Sequence, residues 1–148
     1  MRRTFVAVIA ALATAGCGGA PRAVEAGTPT QQTTPPSSEV SIYGDASAPV
    51  NEIAIKAIAD LQQYWSEQFP QLYGGNYRPV EGGFYAVRPT EDDAPPCTQH
   101  ADEVAGNAFY CATKDVVAWD AEGLLPDLQS KFGDFVIPIV LAHEWGHA

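Results

Sequence analysis

Between Gly18 and about Pro49 the chain is Gly, Pro, Thr, Ser and Gln with scattered apolar residues, including the run Thr28-Pro-Thr-Gln-Gln-Thr-Thr-Pro-Pro-Ser-Ser38. A stretch of that composition buries too little apolar surface to offset the entropy lost on ordering it. It reads as a flexible tether, and it confines folding to residues 49–148. The whole chain has 148 residues, 46% of them hydrophobic, which is material for one core and hardly two. One domain at the end of a tether is the expected organisation.

What precedes the tether has the three parts of a targeting segment. Arg2 and Arg3 supply positive charge, Phe5 to Ala15 an apolar stretch, and small residues follow at once. Thr14-Ala15-Gly16 ahead of Cys17 resembles the bacterial lipobox, although that pattern prefers Leu at the place of Thr14. The resemblance implies that residues 1–16 are a removed signal peptide and that Cys17 is diacylated on sulfur. Residues 17–48 would then be a lipid-anchored tether on the extracytoplasmic side of the cell membrane. An ordinary secretory peptide with an incidental Cys is the alternative. Several acyl chains on one residue suffice for stable anchoring. No apolar run approaches the length of about 18 residues expected of a spanning helix. The formal charge of −10 opposes association with phosphate backbones, so nucleic acid is excluded as a partner.

Export bears on the remaining cysteines. Cys97 and Cys111 are an even pair in a chain delivered to an oxidising compartment, and a disulfide is the expected pairing. Metal ligation and free buried thiols stay open beside it, but the spacing matches no C-x-x-C zinc pattern.

Within residues 49–148 the patterns predict an α+β domain. Ala54, Ile58, Leu61 and Trp65 fall at helical spacing after Pro49, giving an amphipathic helix that should end before Pro70. Its aromatic residues Tyr64, Trp65 and Phe69 read as core. Gly83-Phe-Tyr-Ala-Val87 reads as a short strand among Gly- and Pro-rich loops. Acidic Glu91-Asp-Asp93 lacks the alternating ligands of a calcium loop and reads as solvated. Phe109–Ala112 and Val116–Trp119 flank a polar turn, a β-hairpin signal. Leu124, Leu125, Leu128 and Phe132 suggest a short helix stopping at Gly133, after which Asp134 should cap a final helix from Phe135 to Ala148.

That last helix carries His143-Glu-Trp-Gly-His147, an H-E-x-x-H motif. Residues four apart on a helix share a face, so His143 and His147 can reach one metal ion, and Zn2+ suits imidazole ligands. Glu144 directly follows the first ligand, where its carboxylate can serve as general base toward a water activated by the metal. Two of the chain's three histidines lie here, on a strongly apolar segment with no other use for them. The third, His100, sits in a polar loop beside Asp102 and Glu103 and reads as an exposed histidine. A pair of helix-face histidines bonded to a neighbouring acid is the structural alternative to a metal site.

Together, Asn107-Ala-Phe-Tyr-Cys111, Asp115-Val-Val-Ala-Trp-Asp120, the Leu-rich stretch to Phe132-Gly-Asp134 and Val140-Leu-Ala-His-Glu-Trp-Gly-His147 resemble the bacterial neutral zinc metallopeptidases. The likeness covers roughly the last forty residues and, more loosely, the chain from Pro49 on. It implies a zincin-like domain in which His143 and His147 bind zinc and Glu144 is catalytic, with a peptide or protein as substrate. The family's third protein ligand is a Glu on a later helix, so the expectation is that this ligand lies beyond Ala148 and that residues 49–148 are an incomplete metallopeptidase domain. Zincin-like folds bind substrate backbone along a strand edge beside the motif helix. Val116–Trp119 is the candidate strand, with plain packing on the helix as its equal alternative. A non-catalytic exported lipoprotein with an incomplete zincin-like binding domain is the second functional expectation, and a metal-handling protein with several weak sites is the third.

Overall fold

The structure is a computed structural model and describes residues 40–148. The targeting segment, Cys17 and residues 17–39 of the tether lie outside the described residues.

Three helices and a three-stranded sheet make an α+β domain: α1 Pro49–Tyr73, β1 Gly83–Val87, β2 Ala108–Cys111, β3 Val116–Asp120, α2 Leu124–Phe132 and α3 Val136–Trp145. The strand order is β1-β3-β2, with β1 parallel and β2 antiparallel to β3. The hairpin is therefore present, but its second strand is the centre of the sheet. Every residue of β3 is buried, which corrects the expectation that Val116–Trp119 offers a free edge: both of its backbone edges are taken by neighbouring strands.

Side chains alternate between the two faces of a strand. Phe84, Ala86, Val117 and Trp119 point to one face and pack against Ala54 and Ile58 of α1, Leu125 of α2 and Ile137, Leu141 and Trp145 of α3. This is the main core. Inside it Asn51 is held by two bonds: its side-chain oxygen accepts the Trp119 indole N–H at 3.0 Å, and its amide donates to the Asp45 carbonyl at 2.8 Å. The opposite face carries a much smaller cluster of Val87, Ala101 and Val104, with Tyr85 and Phe109 against it. Ala101 and Val104 come from a short 3-10 helix, Ala101–Val104.

Order begins ahead of Pro49, so residues 40–48 do not belong to the tether. Val40 and Ile42 pack on the main core. The Tyr43 N–H donates to the Phe84 carbonyl and its carbonyl accepts from the Ala86 N–H, both at 2.8 Å, which covers the outer edge of β1. Tyr43 stacks on Tyr85 with ring centroids 4.5 Å apart. Gly44 follows at φ 112, where a Cβ would fall 2.3 Å from the Ala86 carbonyl oxygen.

Two helix boundaries also differ from expectation. α1 runs through Pro70 to Tyr73 and ends at left-handed Gly74, whose N–H donates to the Pro70 carbonyl. Pro70 lies in the last turn, where Phe69 packs on Tyr73 and Tyr77 at 4.9 and 6.2 Å. That aromatic contact offsets the hydrogen bond the proline ring removes. Asp134 does not cap α3, whose first turn has no side-chain cap. Its carboxylate instead accepts from the Gln129 side chain at 2.8 Å.

The turn before α2 is organised by Asp120 at the end of β3. One carboxylate oxygen accepts the N–H groups of Glu122 and Gly123, and the other those of Leu124 and Gly106, at 2.7 to 3.1 Å. Burial raises this carboxyl's pKa, but the four backbone donors outweigh it and hold the group below the ordinary value of 3.8.

Candidate metal centre

α3 is apolar nearly all round, yet it buries only part of itself. Ile137, Leu141, Glu144 and Trp145 face inward, whereas Phe135, Ile139 and His143 fall at intervals of four on the outer side and are exposed. Trp145 fixes the register of this helix on the sheet. Its ring stacks on Phe84 at 5.7 Å, and its indole N–H donates to the Tyr77 hydroxyl at 2.9 Å.

The regular helix stops at Trp145 and the chain continues as a tight turn. His147 N–H donates to the Glu144 carbonyl at 3.1 Å and Ala148 N–H to the Trp145 carbonyl at 3.2 Å. Such i to i−3 bonds wind the last turn more closely than an α-helix. His143 and His147 nonetheless meet, with rings perpendicular and the two Nε2 atoms 3.4 Å apart.

That separation tests the fit of a metal. Two nitrogens at 2.0–2.1 Å from a tetrahedral zinc ion stand about 3.3–3.4 Å from each other, from bond length and tetrahedral angle alone. The 3.4 Å between the exposed imidazoles falls in that range, and it is also within hydrogen-bond reach of one ring nitrogen for the other. Among the described residues no group of three or more His, Cys, Asp or Glu side chains converges; the motif brings two imidazoles together. His100 is not a third: it heads the short 3-10 helix, where its N–H donates to Glu103 at 2.9 Å, and that helix packs on the other face of the sheet.

Glu144 occupies the border between the buried and exposed sides of α3 and is 6% exposed. Its Oε2 accepts the backbone N–H of Tyr110 at 3.0 Å. The alternation of an antiparallel ladder explains why that N–H is available. Asp120 N–H donates to the Asn107 carbonyl at 2.9 Å, making 107 and 120 a hydrogen-bonded pair. By register Phe109 and Cys111 also turn their backbone groups toward β3, whereas Ala108 and Tyr110 turn theirs outward. β2 is therefore the outer strand of the sheet among the described residues, and its outward Tyr110 N–H is taken by the Glu144 carboxylate. The motif indicates Glu144 but not this partner, which lies 34 positions away.

Cys97 and Cys111 form a disulfide, as expected. It joins the last residue of β2 to the loop that follows β1. Among the described residues, no helix is long and apolar enough to cross a membrane. Comparison with known protein families, with curated proteins and with solved structures gives no significant match.

Proposed function

We propose that this chain carries the motif helix of a zincin-like, zinc-dependent endopeptidase, exported and held to the outer side of the membrane by lipid on Cys17. The observation that supports it most is the 3.4 Å separation of the His143 and His147 Nε2 atoms, a ready bite for one zinc ion. Bound there, the metal would polarise the scissile carbonyl and lower the pKa of a water molecule. Glu144 would accept that water's proton as general base, its carboxylate oriented by the Tyr110 N–H. The substrate backbone would add to the outer edge of β2 through the Ala108 N–H and carbonyl and the Tyr110 carbonyl, the Tyr110 N–H being taken by Glu144.

Glu144→Gln keeps an oxygen to accept the Tyr110 N–H while removing the base. It should bind zinc within about threefold of the parent, by competition with a chromophoric chelator, and lose hydrolysis of a quenched casein substrate by at least about 100-fold. A fully active Glu144→Gln ends this reading. His143→Ala and His147→Ala should each abolish the zinc site.

The second reading is an exported lipoprotein whose domain binds a partner without cleaving it. What favours it is that only two metal-ligating side chains converge among the described residues. Catalytic zinc sites use three protein ligands. Tight zinc binding together with hydrolysis decides for the enzyme; neither, with partner binding intact, decides for the second reading.

A further inference from the structure

The loop of residues 88–107 is fastened to β2 at both ends of the strand. It runs directly into Ala108, and its Cys97 is bonded to Cys111, the last residue of β2. The residue before that second fastening is Tyr110, whose N–H holds the Glu144 carboxylate at 3.0 Å. The two sulfurs are unequally placed, Cys97 being exposed and Cys111 half-buried. Cys97 also lies at φ 77, in the left-handed region that a residue with a Cβ rarely adopts. Thr113, in the turn between β2 and β3, brings its hydroxyl to 3.2 Å from the Cys111 Sγ and 3.6 Å from the Cys97 Sγ. Neither bonded sulfur carries a proton, so the hydroxyl is the donor.

We propose that the Cys97–Cys111 bond is a redox switch on Glu144, opened by a dithiol. Exposed or strained disulfides are the reducible ones, and here the exposed sulfur belongs to the strained residue. A thiolate of the dithiol attacks the Cys97 Sγ. The Cys97–Cys111 bond breaks, a mixed disulfide forms on Cys97, and Cys111 leaves as a thiolate that meets the Thr113 O–H. The dithiol's second thiol gives up its proton, attacks the dithiol's own sulfur in the mixed disulfide and releases Cys97. Two electrons pass to the protein, the dithiol's two protons end on Cys97 and Cys111, and the dithiol becomes its disulfide. The loop then keeps its polar ties and the small cluster of Val87, Ala101 and Val104. β2 loses its fastening at Cys111, and the Tyr110 N–H is no longer fixed against Glu144. α3, which carries the histidine pair, is held by the main core and stays in place. The consequence for hydrolysis rests on the peptidase reading; the consequence for Tyr110 does not.

The test equilibrates the full chain in dithiothreitol buffers of rising reduced-to-oxidised ratio, without denaturant. Alkylation of Cys97 and Cys111 is read by peptide mass, and exchange of the Tyr110 N–H by NMR. Both thiols should appear while α1 and α3 keep their protection, the Tyr110 N–H should exchange at least about tenfold faster in the reduced chain, and reoxidation should restore it. Thr113→Val should slow reduction by about threefold, through loss of a hydrogen bond to the leaving thiolate. The double variant Cys97→Ser with Cys111→Ser should show the fast exchange at every dithiol ratio, bind zinc within about twofold of the parent, and hydrolyse casein about tenfold more slowly. Thiols that appear only as α1 loses protection, or a Tyr110 N–H unchanged on reduction, overturn the switch. Equal hydrolysis by parent and double variant sinks the switch and spares the peptidase reading; redox-dependent exchange at Tyr110 without hydrolysis in either chain does the reverse.

Discussion

The two faces of the sheet are covered by different means. On the helix side Ile58, Trp119, Leu125, Ile137 and Leu141 are all fully buried and one continuous core results. On the other side the loop after β1 supplies Ala101 and Val104 against Val87, and little else that is apolar and buried. That loop is secured chemically: by the Cys97–Cys111 disulfide, by Glu103 accepting the N–H groups of Gln99 and His100, by Asp120 accepting the Gly106 N–H, and by Glu122 accepting from Thr90. Where a segment has too few apolar residues to be held by burial, covalent and polar ties take over. The site lies where the two regimes meet, since β2 carries both the disulfide and the edge on which Glu144 rests.

The contrast predicts an ordered series of losses. Trp119→Ala should be the most damaging, at about 3–5 kcal/mol, because it opens the main core and leaves the Asn51 side-chain oxygen without its donor; chemical denaturation measures it, and a loss no larger than that of the disulfide variant would break the comparison. The double variant Cys97→Ser with Cys111→Ser should cost roughly 3 kcal/mol by freeing a short loop in the unfolded state. Hydrogen exchange should rise over residues 88–107 while α1 and α3 stay protected. Uniform loss of protection would show that the two faces are one cooperative unit.

Asp120→Asn should cost about 2 kcal/mol, since one oxygen cannot replace two that together accept four N–H groups. It also sharpens the comparison in pH. The folded carboxyl is held below its ordinary value, so its stabilisation is fully present above about pH 4 and fades as pH falls through the folded pKa. Acid unfolding should therefore be steeper in the parent than in the variant. Smallest is Arg88→Gln. Its pairs with Glu91 and Asp92 lie at the loop's start with the guanidinium in solvent, so the denaturation midpoint should barely move.

Much of this was legible in the chain. Apolar spacing located α1 and α2, short apolar runs between turn residues located β1 and the hairpin, and an apolar run carrying the H-E-x-x-H spacing located α3 and brought His143 and His147 to one place. The cysteine pair followed from number and compartment. Misplaced or missed were the order of residues 40–48, hidden by the polar composition around them, and the passage of α1 through Pro70, which the Phe69, Tyr73 and Tyr77 contacts hold. The central position of β3 was missed as well. A hairpin signal states that two strands pair and says nothing about a third strand arriving from elsewhere.

By itself the sequence determined where the three helices and the hairpin form and that His143 and His147 share one helix face, because these depend on neighbours within a few positions. Tertiary structure alone decided that β1 closes the far edge of β3 and that Glu144 lies on the outward N–H of Tyr110. Those pairings join residues 33 or more positions apart, and which distant groups meet is settled by the packing of the whole core.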